Sequence, residues 1–341
     1  MDYRFFGKTG LRVSAACMGS MTFGREIGED ASFSILDAFA AAGGSFIDTA
    51  DNIYSDGASE EIVGRWLSKQ KRSDWVLATK CGFPTGPAPT DVGLTRKHIF
   101  DAIDASLVRL RTDYVDIYQV HWWDRATPIE ETLSALNSLV QSGKVRYLGC
   151  SNFTAWQIQV ALAASDKHGW ARFESLQPMY SLVERHADLE LLPLCNREKM
   201  AVIPYSPLAR GVLSGKHKSD EVIVPVQNLG LGKTSDTDWN SLQHLVETER
   251  KQRIVESVKH IAESIRKTPA QVALAWVAAQ PGVVSPILGA RSVAQLNDNL
   301  GFLDVALSVQ QLADLDNVSG QPSQYPHDYI SWANGEYKRN R

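Results

Sequence analysis

The sequence of 341 residues is poor in the features that mark several large protein classes. Its four cysteines, Cys17, Cys81, Cys150 and Cys195, are scattered and include no C-x-x-C pair. That offers no zinc or disulfide framework and fits a reducing cytoplasm. No apolar run approaches the roughly 18 residues that suggest a membrane span. The N-terminal MDYRFFGKTGLRVSAACMGS lacks the apolar centre of a signal peptide. Neither charge sign dominates: 35 Lys+Arg stand against 39 Asp+Glu, a formal net charge of −4. Nucleic acid and anionic membrane are therefore not expected as main partners. The eight histidines contain no H-x-H and no H-E-x-x-H, so no metal centre is expected. LGKTS at 231–235 is not a P-loop, because Gln227 stands where its first glycine belongs. What remains is a soluble globular chain of the cytoplasm.

What is present is 44% hydrophobic residues, enough for a large core without covalent staples. Short apolar or β-branched runs alternate with stretches of helical period. Strands are expected at 15–19, 45–48, 75–79, 115–120, 146–150, 175–178, 201–204 and 284–288. Helices are expected over 31–42, 59–69, 95–110, 128–142, 154–168, 189–198, and as a pair over 250–266 and 269–279. Strand–helix alternation implies parallel pairing, and eight units are the number that closes a barrel. The competing doubly wound sheet would need G-x-G-x-x-G after its first strand to hold a dinucleotide, and that motif is missing. The expected fold is thus a (β/α)8 TIM barrel over residues 1–316, opened by a β-hairpin that turns at Lys8-Thr9-Gly10. A long loop at 214–248 follows the seventh strand, and a tail at 317–341 lies over or near the active site.

Functional residues of such barrels lie at the carboxyl ends of the strands. Those ends carry Asp48, Lys80, His121, Ser151-Asn152, Gln177, Tyr205-Ser206-Pro207 and Gly289-Ala290-Arg291. Taken singly, each has a plainer reading. Asp48 would cap a helix, Lys80 would be solvated, His121 would be packed, and Tyr54 would flank a turn. Occurring together at successive strand ends, they suit one task. A phenol such as Tyr54 titrates near pH 10 in water, and a neighbouring Lys80, fixed by Asp48, would lower that value. His121 would orient a substrate carbonyl, completing a proton donor and oxyanion site. Hydride must come from a cofactor, since no side chain supplies one.

These segments resemble the aldo-keto reductase superfamily, in its bacterial type related to the potassium-channel beta-subunit-like branch. The likeness runs through LRVSAACMGSMTFG, FIDTADNIY with SEEIVGRWL, ATKCG, LVRLRTDYVDIYQVHWWD, GKVRYLGCSN, LQPMYSLVER, VIPYSPLARGVLSGK and PILGARSVAQLNDNLGFLD. It implies NADP(H) bound without a Rossmann motif and no metal. It also implies Tyr54 as general acid/base, Asp48 and Lys80 tuning it, and His121 positioning the carbonyl. The likeness assigns Gly19, Ser20, Met21 and Asp48 to the cofactor, with Ser151, Asn152 and Gln177 at the carboxamide and Tyr205 on the nicotinamide ring. Ser206, Pro207, Leu208, Arg210, Gly211 and Lys216 would follow the pyrophosphate. Gly289, Arg291, Gln295 and Asn299 would take the adenosine end, with Arg291 at the 2′-phosphate. DTADNIY is one residue longer than the family's Asp-Thr-Ala-x-x-Tyr. Phe23, Tyr54, Trp122 and Trp123 are expected to line an apolar pocket, joined by Tyr325, Tyr329 and Trp332 of the tail. The partner is then a small carbonyl compound or alcohol. The alternative is an NADPH-binding regulatory or redox-sensing barrel with little turnover.

Overall fold

The computed structural model describes residues 1–215, 249–321 and 325–336. Most of the 214–248 segment, Lys216 included, lies outside the described residues. The chain opens with an antiparallel hairpin of β1 (Tyr3–Phe5) and β2 (Arg12–Ser14), in the register Tyr3 to Ser14. Eight parallel strands follow: β3 (Cys17–Gly19), β4 (Phe46–Asp48), β5 (Val76–Cys81), β6 (Val115–Val120), β7 (Val145–Ser151), β8 (Phe173–Gln177), β9 (Ala201–Val202) and β10 (Ile287–Leu288). They neighbour one another in chain order, and β10 returns to pair with β3. The last gap is bridged by three backbone bonds, Val202 N–H to Gly282 O (3.0 Å), Val284 N–H to Val202 O (2.9 Å) and Ile287 N–H to Pro204 O (3.0 Å). The eightfold alternation expected of a (β/α)8 barrel is present.

Helices α1 (Glu29–Ala41), α2 (Ala58–Leu67), α3 (Arg96–Leu110), α4 (Ile129–Gln141), α5 (Ala155–His168) and α6 (Leu191–Glu198) follow β3 to β8 one by one. Between β9 and β10 come α7 (Glu249–Ser264) and α8 (Pro269–Ala278), and α9 (Val293–Leu300) follows β10. The starts are written locally. Thr154 and Thr268 each form a capping box with the glutamine three residues on, and Pro269 enters α8 where no N–H is needed. Two helices extend beyond the eight units, α10 (Val309–Ser319) and α11 (His327–Glu336), and residue 316 lies within α10. No described helix is long and apolar enough to cross a membrane.

Two buried clusters explain which side chains reach the site. Cys17, Phe46, Val76, Ala78, Ile117, Ala201 and Ile287 fill the barrel interior, with Phe6 and Val13 of the hairpin region packed among them. Phe6 meets Phe46 edge-on at 6.2 Å, so the hairpin region plugs the bottom. Met18, Ile47, Leu77, Tyr118 and Val120 belong instead to the larger cluster shared with the helices. Strand side chains alternate with period two. Asp48, Lys80 and Gln119, each two residues beyond an interior apolar residue, must therefore point inward as well. The barrel interior changes from hydrocarbon to polar within one layer.

Candidate active site

The polar layer is closely bonded. The Lys80 ammonium donates to Asp48 Oδ2 at 2.6 Å and to the Thr49 carbonyl at 2.7 Å. The other Asp48 oxygen accepts from Gln119 Nε2 (3.1 Å) and Gln177 Nε2 (2.9 Å). Lys80 and Asp48 are 0% and 1% exposed, so each charge relies on these partners in place of water. Burial disfavours the Lys80 ammonium, but Asp48, with Tyr54 behind it, outweighs that effect and raises the lysine above its usual value.

The loop from β4 to α2 brings Tyr54 over this pair. Tyr54 N–H donates to Asp51 O (3.0 Å), and Ser59 N–H reaches back to Tyr54 O (3.4 Å). Ser55, Asp56 and Gly57 then take left-handed conformations in succession, with φ of 60°, 53° and 88°. Non-glycine residues adopt that region at a cost. At Gly57 a Cβ would also stand 2.8 Å from Arg109 Cδ, so only glycine fits the turn into α2. The loop length that exceeds the family spacing still leaves the Tyr54 ring centroid 5.1 Å from Lys80 Nζ and 6.4 Å from the His121 ring.

The protonation states of these groups follow from burial. Burial raises the Tyr54 phenol above its ordinary 10.0; Lys80 pulls it down and Asp48 pushes it up, and the net shift is upward. The sequence points to a lowering by Lys80. That effect exists, but the loss of water outweighs it. Burial, and after it the Lys80 charge, holds His121 well below its ordinary 6.5. The imidazole is therefore neutral at pH 7, and its Nδ1 is buried without a hydrogen-bond partner.

The other residues singled out in the sequence divide into groups. Asn152, left-handed at φ 55°, ties three strand ends together. Its Nδ2 donates to His121 O (2.9 Å) and Ser151 Oγ (3.1 Å), and its Oδ1 accepts from Tyr205 OH (3.0 Å). Ser151 Oγ donates to Gln177 O at 2.8 Å. Burial pushes the Tyr205 phenol up to about 12. Beyond Tyr205, Ser206, Ala209, Arg210 and Gly211 all have positive φ, Pro207 is buried, and Leu208 is half-buried, so the loop is a chain of tight turns. Just past the adjoining strand β10, Gly289 is exposed, with no atom within 4 Å of where a Cβ would be. Gln295 Oε1 accepts from Arg291 N–H (2.9 Å), Asn299 Nδ2 donates to Gly289 O (3.2 Å), and the Arg291 guanidinium pairs with Glu26.

Some candidates are committed elsewhere. Ser20 Oγ is spent on Asp48 O (3.1 Å) and Ser59 Oγ (2.7 Å), and Gly19 is dictated by packing, since a Cβ would lie 2.6 Å from Ile287 Cγ2. Met21 is exposed, whereas Phe23 has no accessible surface and belongs to the helix-side core. Trp122 is half-buried, and Trp123 packs on Phe153 (5.3 Å) and Trp156 (5.6 Å). Phe83, which the sequence reading passes over, stands edge-on to His121 at 4.7 Å. In the tail, His327 Nε2 lies 3.4 Å from Glu190 Oε1, while Tyr325, Tyr329 and Trp332 are more than half exposed.

Asp51 is the anomaly of the site. It is fully buried, and neither carboxyl oxygen has a hydrogen-bond partner. Nearby Glu60, also buried, is held by Thr79 Oγ1 (2.5 Å) and Arg109 Nε (2.7 Å). Burial first, and then Glu60, raises the Asp51 acid well above 3.8. Folding above pH 3.8 therefore favours the protonated form of a carboxyl that the unfolded chain holds ionised. Asp51→Asn should stabilise the protein at pH 7. The gain should be absent below pH 3.8, widen above it by about 1.4 kcal/mol per pH unit, and level off at the folded-state pKa. Denaturant titrations of both proteins across pH check this; a difference that does not vary with pH would mean that Asp51 folds ionised.

Comparisons with known proteins agree with this architecture. The profile of the aldo/keto reductase family matches residues 15–319. YrpG, an oxidoreductase of Bacillus subtilis (strain 168), is 35% identical over 97% of this chain and 100% of its own length. Versiconal hemiacetal acetate reductase of Aspergillus parasiticus is 33% identical over 93% of this chain and 96% of its own. A probable voltage-gated potassium channel subunit beta of Arabidopsis thaliana is 37% identical over 89% and 92%. With the family profile spanning the barrel from its first strand to α10, and oxidoreductases among its relatives, the chain belongs to the aldo/keto reductase family.

Proposed function

We propose that the protein is an NADPH-dependent oxidoreductase that interconverts aldehydes or ketones with alcohols, with Tyr54 as the proton donor. The observation that carries this reading is the placement of the Tyr54 ring 5.1 Å from the buried Lys80 ammonium and 6.4 Å from the His121 ring, with the phenol protonated and the imidazole neutral. The Tyr54 hydroxyl gives its proton to the carbonyl oxygen as negative charge develops there, while an N–H of His121 orients that oxygen. Lys80, held by Asp48, stabilises the phenolate left behind. In the reverse direction the phenolate takes the alcohol proton.

Bound NADPH would supply the hydride. The open space at Gly289 and the exposed guanidinium of Arg291 suit its adenosine end, and the half-buried face of Tyr205 suits a flat ring. Arg291 is 69% exposed, so exchanging Glu26 for a 2′-phosphate costs it little desolvation. Ser151, Asn152 and Gln177 would have to share amide and hydroxyl groups already bonded within the protein.

NADPH oxidation measured against a panel of carbonyl compounds tests the reading. Turnover is expected with some of them. Quenching of NADPH fluorescence without turnover of any would sink the enzyme and favour a regulatory barrel, a reading supported by likeness to the channel subunit. The pH profile is a second expectation. Reduction needs Tyr54 protonated and His121 neutral, so its kcat/KM should stay level from pH 6.5 to pH 10.0. A bell centred on neutrality would assign the proton to another group.

A further inference from the structure

Next to Asp51, Asn52 leaves the Tyr54 loop and reaches across to another. Its Nδ2 donates to the Thr85 carbonyl at 3.0 Å. Thr85 belongs to the segment 82–95, which joins β5 to α3. The base of that segment is pinned from the far side. Gly93 N–H donates to Gly82 O (3.0 Å), Leu94 N–H to Asp124 Oδ2 (2.8 Å), and Thr132 Oγ1 to Leu94 O (2.9 Å). Inside the segment, Thr85 N–H donates to Asp91 O (2.9 Å) and Ala88 N–H to Asp91 Oδ2 (2.9 Å). The loop is thus a compact unit, folded on itself, with residues 86–90 exposed at its tip. Phe83, at its start, stands 4.7 Å from the His121 ring and 6.3 Å from Trp122. Among the described residues, Asn52 makes the one hydrogen bond that joins this unit to the loop bearing Tyr54.

We propose that Asn52 is a positioning residue for substrate breadth: by holding Thr85 it fixes the gap between Phe83 and Tyr54, and so the widest carbonyl compound that can reach the Tyr54–His121 pair. The chemistry of the tie supports this. An amide N–H is the donor that a backbone carbonyl requires, and a carboxylate of the same size is an acceptor only. Asn52 is itself half-buried and makes no described contact with Lys80, Asp48 or His121. Losing the tie should therefore free the loop while leaving the reacting groups in place. The inference rests on the carbonyl-reductase reading for its substrate arm, but not for its structural arm.

The test uses Asn52→Asp and Asn52→Ala, which remove the donor with and without added charge. Amide deuterium exchange of the cofactor-free protein at Thr85 and Ala88, whose N–H groups are bonded to Asp91, should quicken about fivefold in both variants, the factor that one net hydrogen bond of about 1 kcal/mol carries. In steady state with NADPH, kcat for propanal should stay within about twofold of wild type, because Tyr54, Lys80 and His121 are untouched. The kcat/KM ratio of naphthaldehyde to propanal should rise about fivefold or more, through KM for the wider aldehyde. An unchanged ratio in both variants alongside faster exchange overturns the proposal, since the loop would then be free without setting breadth. Unchanged exchange overturns it too, because Asn52 would not be holding the loop. A wild type that reduces no carbonyl at all fails the proposed function instead, and the exchange arm still reads the tie.

Discussion

Tyr54→Phe is expected to lower carbonyl reduction by about 10²–10⁴-fold, the contribution of a well-placed general acid, and to leave NADPH affinity near that of wild type. The substitution removes one oxygen and keeps the ring, so the edge-on approach to His121 at 6.4 Å and the position over Lys80 survive. What is lost is the proton alone. Single-turnover oxidation of prebound NADPH separates this from slow product release, and fluorescence titration reads the cofactor. Near-normal turnover in the variant would mean that the longer Asp48–Tyr54 loop has handed the role to a different donor.

Lys80→Met should cost about 3–5 kcal/mol of stability, because it leaves the Asp48 carboxylate in a dry layer without its ammonium. Gln119 and Gln177 still donate to one oxygen of Asp48, but nothing replaces the charge. The double variant Lys80→Met/Asp48→Asn should recover much of that loss, since a buried pair removed together leaves no isolated ion. Activity should not return with it, because the phenolate of Tyr54 would have no cation beside it. Denaturation midpoints of the single and double variants check the first part, and reduction rates the second. Equal midpoints in the two would mean that Asp48 is protonated once Lys80 is gone.

The strand mouths were legible because a barrel obliges period-two strands to end at a common rim. Asp48, Lys80, His121, Asn152 and Tyr205 all stand there, and reading one or two residues past each apolar run finds them. Gln119 is harder to find because it lies inside a strand, in VDIYQV, where a polar residue usually reads as surface; only the inward turn of Ile117 two residues earlier shows its direction. Glu60 looks like an ordinary charge in the first turn of α2, yet its partner Arg109 comes from α3, so nothing local announces the buried pair. Phe23 and Trp123 are ambiguous for a different reason. Aromatic residues next to a site and aromatic residues under it have the same sequence signal, and packing decides between them. The sign of the Tyr54 shift was also beyond the sequence, because a sequence lists charges but not the water they displace.

Ring closure has a consequence for how the protein is made. Cys17 pairs with Ile287, so the first barrel strand waits for the last one. Until then β3 and β9 are both bare edges of an open parallel sheet, the kind of surface that templates association between chains. The closing strand, β10, is only two residues long, and its neighbour β9 is equally short. A chain still emerging from the ribosome, or one cut short ahead of residue 287, holds most of its helices yet presents two sticky borders. Production of this enzyme should therefore depend on chaperone supply and growth temperature more than its folded stability would suggest.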